Sequence, residues 1–291
     1  MTTKFEALSA QELLQNIQQF SKERLDSPYN GKITCFETID STNAWLLANG
    51  GNGDFCLSET QTAGRGRRNN EWVSPDSGNI YLSFCCYFNH SVEHRSLLGL
   101  VAGVAIAEAL DEIGLKDHGI KWPNDIFWKG QKLGGILIQT AENYEKFIIG
   151  IGLNVCLPDK SLEKITQTAT SLEQALTDQK LDREKIVTEI MKRLLSYIEV
   201  FPQLPFHVFL KEWNRWDILH GKTVSFEHQN NEISGLVNGI DRHGRIGIII
   251  EKPSIDKQSD NVKIQSLESK VDYFSVADIK LSKSSIRYEQ K

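Results

Sequence analysis

Ile120-Lys121-Trp122-Pro123-Asn124-Asp125-Ile126-Phe127-Trp128 runs through Lys129-Gly130-Gln131-Lys132 into Leu133-Gly134-Gly135-Ile136-Leu137-Ile138. A few residues on comes Lys146-Phe147-Ile148-Ile149-Gly150-Ile151-Gly152-Leu153-Asn154. These are short apolar runs cut by turn chemistry, too short and too closely spaced for helices. Proline splits the first run and leaves Asn124-Asp125 in a turn, since it cannot donate to a strand ladder. Lys129 to Lys132 reads as a hairpin turn. Meandering strands with few helices between them point to the α+β class, on a mixed, mainly antiparallel sheet. Adjacent glycines weaken a strand and mark the close approach of a ligand or another backbone. Gly150-x-Gly152 has no third glycine and opens no helix, so it is no dinucleotide fingerprint.

Upstream, Asn79 to Phe88, Phe55 to Thr60 and Ile33 to Ile39 read as further strands of the same sheet. Leu97 to Ile113 is a helix whose small residues suit close packing on that sheet. Asp40-Ser41-Thr42-Asn43 opens a short helix, with Asp40 or Ser41 as N-cap and Gly50 just past its end. An amphipathic helix over 8–25, with Ser9 as N-cap, precedes everything else. Downstream, Ser171 caps a helix over 172–176, Asp182 caps a long one over 183–200, and 205–216 is helical. From Gly221 the texture becomes short strands: 223–226, 233–239, 245–251, 262–267 and a last one near 273–275. Five such strands in about sixty residues read as a small β-barrel. Lys252 to Asp260 reads as a polar insertion. The expected organisation is an N-terminal helical extension (1–32), a main domain (33–216), the barrel (217–285) and a tail (286–291).

The chain has 291 residues, 40% hydrophobic and 24% charged, with a formal net charge of −5. Mild acidity argues against a general nucleic-acid binder. Five cysteines form no Cys-x-x-Cys pair and most lie in apolar runs, where a free thiol behaves as a small hydrophobe. No zinc spacing appears, and His90 and His94 read as a turn ahead of a helix. No signal segment or membrane-length apolar run is present. The expected location is the reducing cytoplasm, with no membrane partner.

Against this background, Gln61-Thr62-Ala63-Gly64-Arg65-Gly66-Arg67-Arg68-Asn69-Asn70-Glu71-Trp72 stands out. Bare glycines let a backbone approach a ligand, and guanidinium forks match phosphate or carboxylate oxygens. A solvated basic loop is the bland alternative. For Ser41-Thr42-Asn43, helix capping is the bland alternative to a polar pocket beside helix N–H groups. Lys121 and Lys132 add cations that could neutralise a polyphosphate. Asn124 and Asp125 offer hard oxygen ligands for Mg²⁺, which binds through few carboxylates plus phosphates. There is no P-loop. Residue chemistry alone points to an ATP-dependent enzyme acting on a small carboxylate.

Five motifs in order make the sequence resemble the biotin–protein ligases, also called biotin–[acetyl-CoA-carboxylase] ligases. They are Asp40 to Asn43, Gln61 to Arg67, Lys121 to Asp125, Lys132 to Leu137 and Gly150 to Asn154. The likeness spans roughly residues 33–280. It implies a catalytic domain like that of class II aminoacyl-tRNA synthetases, followed by an SH3-like barrel. It also implies two steps on biotin, ATP and Mg²⁺: formation of biotinyl-5′-AMP, then acylation of a lysine. The lysine would belong to a biotin carboxyl carrier domain of acetyl-CoA carboxylase or a related biotin enzyme.

Carried over by motif, Ser41, Thr42, Asn43 and Gln61 line the biotin end, with Trp72 at its apolar rim. Gly134 and Gly135 meet biotin through backbone. Arg65, Gly66 and Arg67 hold the carboxylate–phosphate region, Lys132 reaches the same junction, and Lys121 stabilises charge on the phosphates. Asn154 and Ala169 face the adenine, and Asn124 and Asp125 are the Mg²⁺ candidates. Some bacterial members have Gly-Arg-Gly-Arg-Arg-Gly-Arg-x-Trp, whereas Asn69 and Asn70 stand here at the positions of its last glycine and last arginine. Asparagine tolerates left-handed backbone, so the turn is expected to survive.

Three rivals remain at this level. A lipoate–protein ligase shares fold and chemistry, but the arginine loop and Lys-Trp-Pro-Asn-Asp favour biotin. A biotin-responsive repressor needs a helix-turn-helix, for which the 32 residues ahead of the first strand are too few, so a monofunctional ligase with no DNA partner is expected. A nucleotide-binding or structural protein with a basic loop is the third. A homodimer stays open.

Overall fold

The computed structural model describes residues 5–75, 78–89, 94–141, 145–157, 168–177, 180–228, 231–255, 264–275 and 279–281. The chain divides into two compact units, Met1–Pro205 and Phe206–Lys291. The helix at 206–216, grouped with the main domain from sequence, falls in the second unit.

The first unit is built on a seven-stranded sheet of β1 (Ile33–Ile39), β2 (Phe55–Gln61), β3 (Ile80–Tyr87), β4 (His118–Lys121), β5 (Asp125–Trp128), β6 (Gln131–Thr140) and β7 (Lys146–Leu153). The spatial order is β1-β2-β3-β7-β6-β5-β4, with β1 and β2 parallel and every other pair antiparallel. Lys129 and Gly130 both have positive φ, which makes the β5–β6 connection a two-residue turn of the kind that matches strand twist. Three expected turn positions lie in strands instead. Asp125 pairs with Lys121 and with Gly135, Gln131 with Trp128 and Lys132 with Phe127, because the register continues across the turns on both sides.

Helices cover both faces of this sheet. On one face lies α2 (Thr42–Asn49), packed on Cys56, Cys85 and Ile148 through Leu46. Ser41 is its N-cap and accepts from Ala44 N. Gly50 ends α2 in extended backbone, not in a left-handed turn. On the other face lies α3 (Leu98–Glu112), buried nearly all round, against β4 and β6. The long helix α5 (Arg183–Val200) packs over α3 and carries α1 (Ala10–Arg24) beside β1; a short α4 (Leu172–Ala175) precedes it. Caps form where the sequence places them, at Ser9, Ser171 and Asp182. Arg183, with only 3% of its side chain exposed, pairs with Glu59 at 2.7 Å and holds Glu6 O, so the N-terminal segment is fastened to β2 and α5.

The second unit has α6 (Phe206–Trp216) and a five-stranded antiparallel sheet. Its strands are β8 (Thr223–His228), β9 (Asn231–Ile240), β10 (Ile246–Ile255), β11 (Ile264–Phe274) and β12 (Lys280–Leu281), in the order β11-β10-β9-β8-β12. The expected barrel is not closed among the described residues. β11 and β12 stand at opposite ends of the sheet, and a two-residue β12 offers little edge to pair. Tyr273 belongs to β11, opposite Gly247, so the final strand comes later than the sequence suggested. Lys252 to Ile255 continue β10 against β11 instead of forming an insertion; residues 256–260 lie outside the described residues. Pro253 is tolerated because β10 pairs there with β11 but not with β9. No helix among the described residues is long and apolar enough to cross a membrane.

Candidate functional site

Directly opposed residues in a sheet present their side chains on one face. Two cross-sheet rows on the α2 face therefore define the site floor. The first runs Lys121, Asp125, Gly135, Gly152, Tyr81, Ser58, and the second Leu137, Gly150, Ser83, Cys56. Each row has glycine at its centre, and in each a side chain from a loop or helix lies on the bared backbone. A Cβ at Gly150 would fall on the Asn43 amide, and one at Gly152 within the Trp72 indole. Gly135 would meet Trp72 Cζ3 at 3.1 Å and Lys132 Cε at 3.4 Å. The glycines thus seat Trp72 and Asn43. The sequence reading placed a ligand against the backbone of Gly134 and Gly135 and assigned no occupant to Gly150 and Gly152.

At the second row the polar start of α2 is built into a network. Gln61 Oε1 accepts from Thr42 N at 2.9 Å and lies 3.1 Å from Thr42 Oγ1. Ser83 Oγ is 2.7 Å from Thr42 Oγ1 and reaches Asn43 Oδ1, while Asn43 Nδ2 donates to Gln139 Oε1 at 2.8 Å. Ser83 has one proton to give, so it serves one of these two oxygens at a time. Gln61 Nε2 donates to Ser74 Oγ, which donates to Trp72 O. Ser41, Thr42, Asn43 and Gln61 are thus brought together. Ser83, Ser74 and Gln139 join them, none of which the sequence reading singled out. The available signal was Ser83 itself, a polar residue inside an apolar buried strand, which must find partners there.

The arginine loop closes on itself through Gly66 N to Asn70 O and Trp72 N to Gly64 O. Its left-handed residue is Arg68 (φ 55°), not Asn69 or Asn70, within a tight turn over Arg67–Asn69. Arg65 and Arg68 are exposed and Arg67 half-buried. Arg67 Nη1 donates to Asn124 Oδ1 at 2.9 Å. With Gly66, Leu137 and Gln139, the three arginines line a cleft of about 450 Å³.

At the first row, Lys132 Nζ lies 2.7 Å from Asp125 Oδ1 and 5.4 Å over the Trp72 ring. Lys121 stands beside Asp125 in register, its ammonium 5.1 Å over Phe127. Ala169 bridges Lys132 backbone to backbone, and Asn154 N donates to Leu133 O, which brings both expected adenine-side residues next to Lys132. Trp72 Nε1 and Ser58 Oγ are buried without a hydrogen-bond partner among the described residues. The Mg²⁺ candidates fit unequally. Asn124 Oδ1 already accepts from a guanidinium, while Asp125 keeps a second carboxylate oxygen beyond its contact with Lys132. Among the described residues no group of three His, Cys, Asp or Glu could hold a metal. His94 lies in the turn ahead of α3, and His90 is outside the described residues. All five cysteines are free, and burial pushes the Cys35 and Cys56 thiols up to about 12, so neither is a nucleophile at neutral pH.

Fold and face together define a class: a mixed α/β protein that sets cations and hydrogen-bonding groups around a glycine floor, suited to a polar ligand with an anionic end. The comparisons are specific. The sequence model of the Biotin/lipoate A/B protein ligase family matches residues 35–155. The bifunctional ligase/repressor BirA of Escherichia coli is 31% identical over 243 residues, 81% of this chain and 74% of that protein. A biotin–[acetyl-CoA-carboxylase] ligase of Mycobacterium tuberculosis is 28% identical over 216 residues, covering 71% of this chain and 79% of its own. The biotin protein ligase from Aquifex aeolicus in complex with biotin and ATP has a similar structure. Its TM-score is 0.69 at 25% identity, over 86% of this chain and 99% of that one. The chain belongs to the Biotin/lipoate A/B protein ligase family.

Proposed function

We propose that this chain is a biotin–protein ligase that uses ATP and Mg²⁺ to attach biotin to a lysine of a biotin carboxyl carrier domain. The observation that carries this reading is the shared face: the polar start of α2, the arginine loop and Lys132 meet around Gly135, Gly150 and Gly152. In the first step the biotin carboxylate oxygen attacks the α-phosphorus of ATP. The bond to pyrophosphate breaks and biotinyl-5′-AMP forms. In the second, a neutral carrier lysine attacks the acyl carbon, AMP leaves, and the amine gives up a proton. Thr42, Asn43 and Gln61, with Ser41 capping the helix that presents them, offer the donors and acceptors a ureido ring needs. A site built on such bonds rejects ligands that lack them.

Arg67 and Lys132 stand where charge develops between carboxylate and phosphate, with Arg65 and Gly66 at the outer side of the cleft. Lys121 serves the phosphates, and Asn154 and Ala169 the adenine side. Positioning and electrostatics carry both steps, since neither needs a protein nucleophile. Mg²⁺ supplies charge neutralisation on the phosphates when bound, and Asp125 is the residue that would hold it. The first unit acts as a class II synthetase-like catalytic domain, and the protein works in the cytoplasm. No repressor role is proposed: the helix ahead of β1 packs on α5 and β1. Sequence-specific DNA binding that needs biotin and ATP would overturn that.

Pyrophosphate and AMP release, measured with biotin or lipoate and with or without a carrier domain, tests the proposal. Biotin-dependent pyrophosphate release is expected, and AMP release only with the carrier. Lys121→Ala and Arg67→Ala should each lower the first step by about 10²–10³-fold. Preference for lipoate, or unchanged rates in both variants, would refute it.

A further inference from the structure

The turn between β4 and β5 holds Asn124, whose side-chain amide is used at both ends. Oδ1 accepts from Arg67 Nη1 at 2.9 Å, and Nδ2 donates to Ile136 O at 2.9 Å. The backbone adds a third link, Ile136 N to Asn124 O at 2.9 Å. A loop 57 residues earlier in the chain is thereby fastened to β6 through one side chain. From Gly64 to Glu71 the loop contains no apolar side chain, and its bonds Gly66 N to Asn70 O and Trp72 N to Gly64 O are internal, so the Asn124 link ties this polar stretch to the sheet beyond the seat that Trp72 finds on Gly152. A metal would have to share Asn124 Oδ1 with a guanidinium, and two cations on one oxygen repel strongly in a half-buried site.

We propose that Asn124 is a positioning residue for Arg67, clamping the arginine loop to β6, and is not a ligand of Mg²⁺. The role of Arg67 at the acyl-phosphate junction rests on the ligase reading above, but the clamp does not. Held this way, the guanidinium is set before substrate arrives, and the binding of biotin and ATP does not have to order it. Loss of the clamp lowers the fraction of molecules with Arg67 in place.

Trypsin reads the clamp directly, because the loop carries three arginines. In the full chain without ligand, Asn124→Ala should raise the rate of cleavage after Arg65, Arg67 and Arg68 by about tenfold, since a hydrogen bond to a charged group is lost and cleavage follows the open population. Arg67→Ala breaks the same link from the other side and should raise cleavage after Arg65 and Arg68 likewise, which keeps the test valid if Asn124→Ala fails to fold. Asn124→Asp keeps an acceptor for Arg67 and should stay within about threefold of the parent protein. The Mg²⁺ concentration giving half-maximal biotin-dependent pyrophosphate release should be the same in Asn124→Asp, while Asn124→Ala lowers kcat at saturating Mg²⁺. Unchanged cleavage in the folded variants would overturn the clamp. A Mg²⁺ midpoint raised about tenfold in Asn124→Ala and restored by Asn124→Asp would make Asn124 a ligand instead. If the parent protein shows no biotin-dependent pyrophosphate release yet the cleavage pattern holds, the clamp stands and the ligase reading falls.

Discussion

Replacing Ser83 by alanine probes the floor of the site at its most buried polar point. Ser83 is 0% exposed in β3, and its hydroxyl lies between Thr42 Oγ1 and Asn43 Oδ1. Alanine keeps the strand and its pairing with Gly150, so the loss is confined to one hydroxyl. Thr42 retains Gln61, and Asn43 Nδ2 retains Gln139. Asn43 Oδ1, in a residue only 4% exposed, loses its donor. An orphaned buried acceptor costs about 1–3 kcal/mol. For a unit of this size each kcal/mol moves Tm by about 2–4 °C, so the melt should drop by about 2–12 °C. The same change loosens the start of α2, and KM for biotin should rise by about tenfold while KM for ATP stays nearly constant. A double-mutant cycle with Asn43→Ala separates the causes. If the orphaned oxygen is responsible, the two changes couple by about 0.5–3 kcal/mol. An unchanged melt, or two strictly additive variants, would refute the reasoning.

Three further outcomes follow from the packing. Gly152→Ala places a methyl within the Trp72 indole and should cost about 1–3 kcal/mol by overpacking, recovered in part by Trp72→Leu in a thermal melt of the double variant. Arg183→Ala removes the guanidinium partner of Glu59 in a nearly closed site and should cost about 3–5 kcal/mol in denaturant melts, with Glu59→Gln in the same chain restoring part of it. Burial holds the His118 pKa below its ordinary value of 6.5, against the opposing hydrogen bond to Ala107 O. The unfolded chain therefore takes up this proton first, and the stability that His118 contributes is complete above pH 6.5 and lost as pH falls below it toward the folded value. His118→Gln should flatten that slope in melts followed against pH.

Much of the architecture was legible because local chemistry sets it. The spacing of Ile33, Asn79 and Lys146 announces strands, and Ser9, Ser41, Ser171 and Asp182 cap helices through bonds that reach only three residues along the chain. Tyr273 and Lys252 were misplaced for a different reason. A strand end is decided by whether a partner continues beside it, and Gly247 and Glu268 are those partners. The closed barrel was inferred from strand count and from the family resemblance, and neither says whether the outer strands of this chain meet.

The site divides along the same line. The amino-acid sequence alone determined the chemical inventory: three guanidiniums on a glycine-rich loop, two lysines, a polar helix start and glycines within strands, in an order that already resembles one family. Only the tertiary structure decided what each is for at rest. Gly150 and Gly152 seat Asn43 and Trp72, Ser83 completes the polar network, and Asn124 holds a guanidinium. The physical reason is register. Residues tens of positions apart become neighbours only when strand pairing aligns them, and no local propensity encodes which Cα faces which.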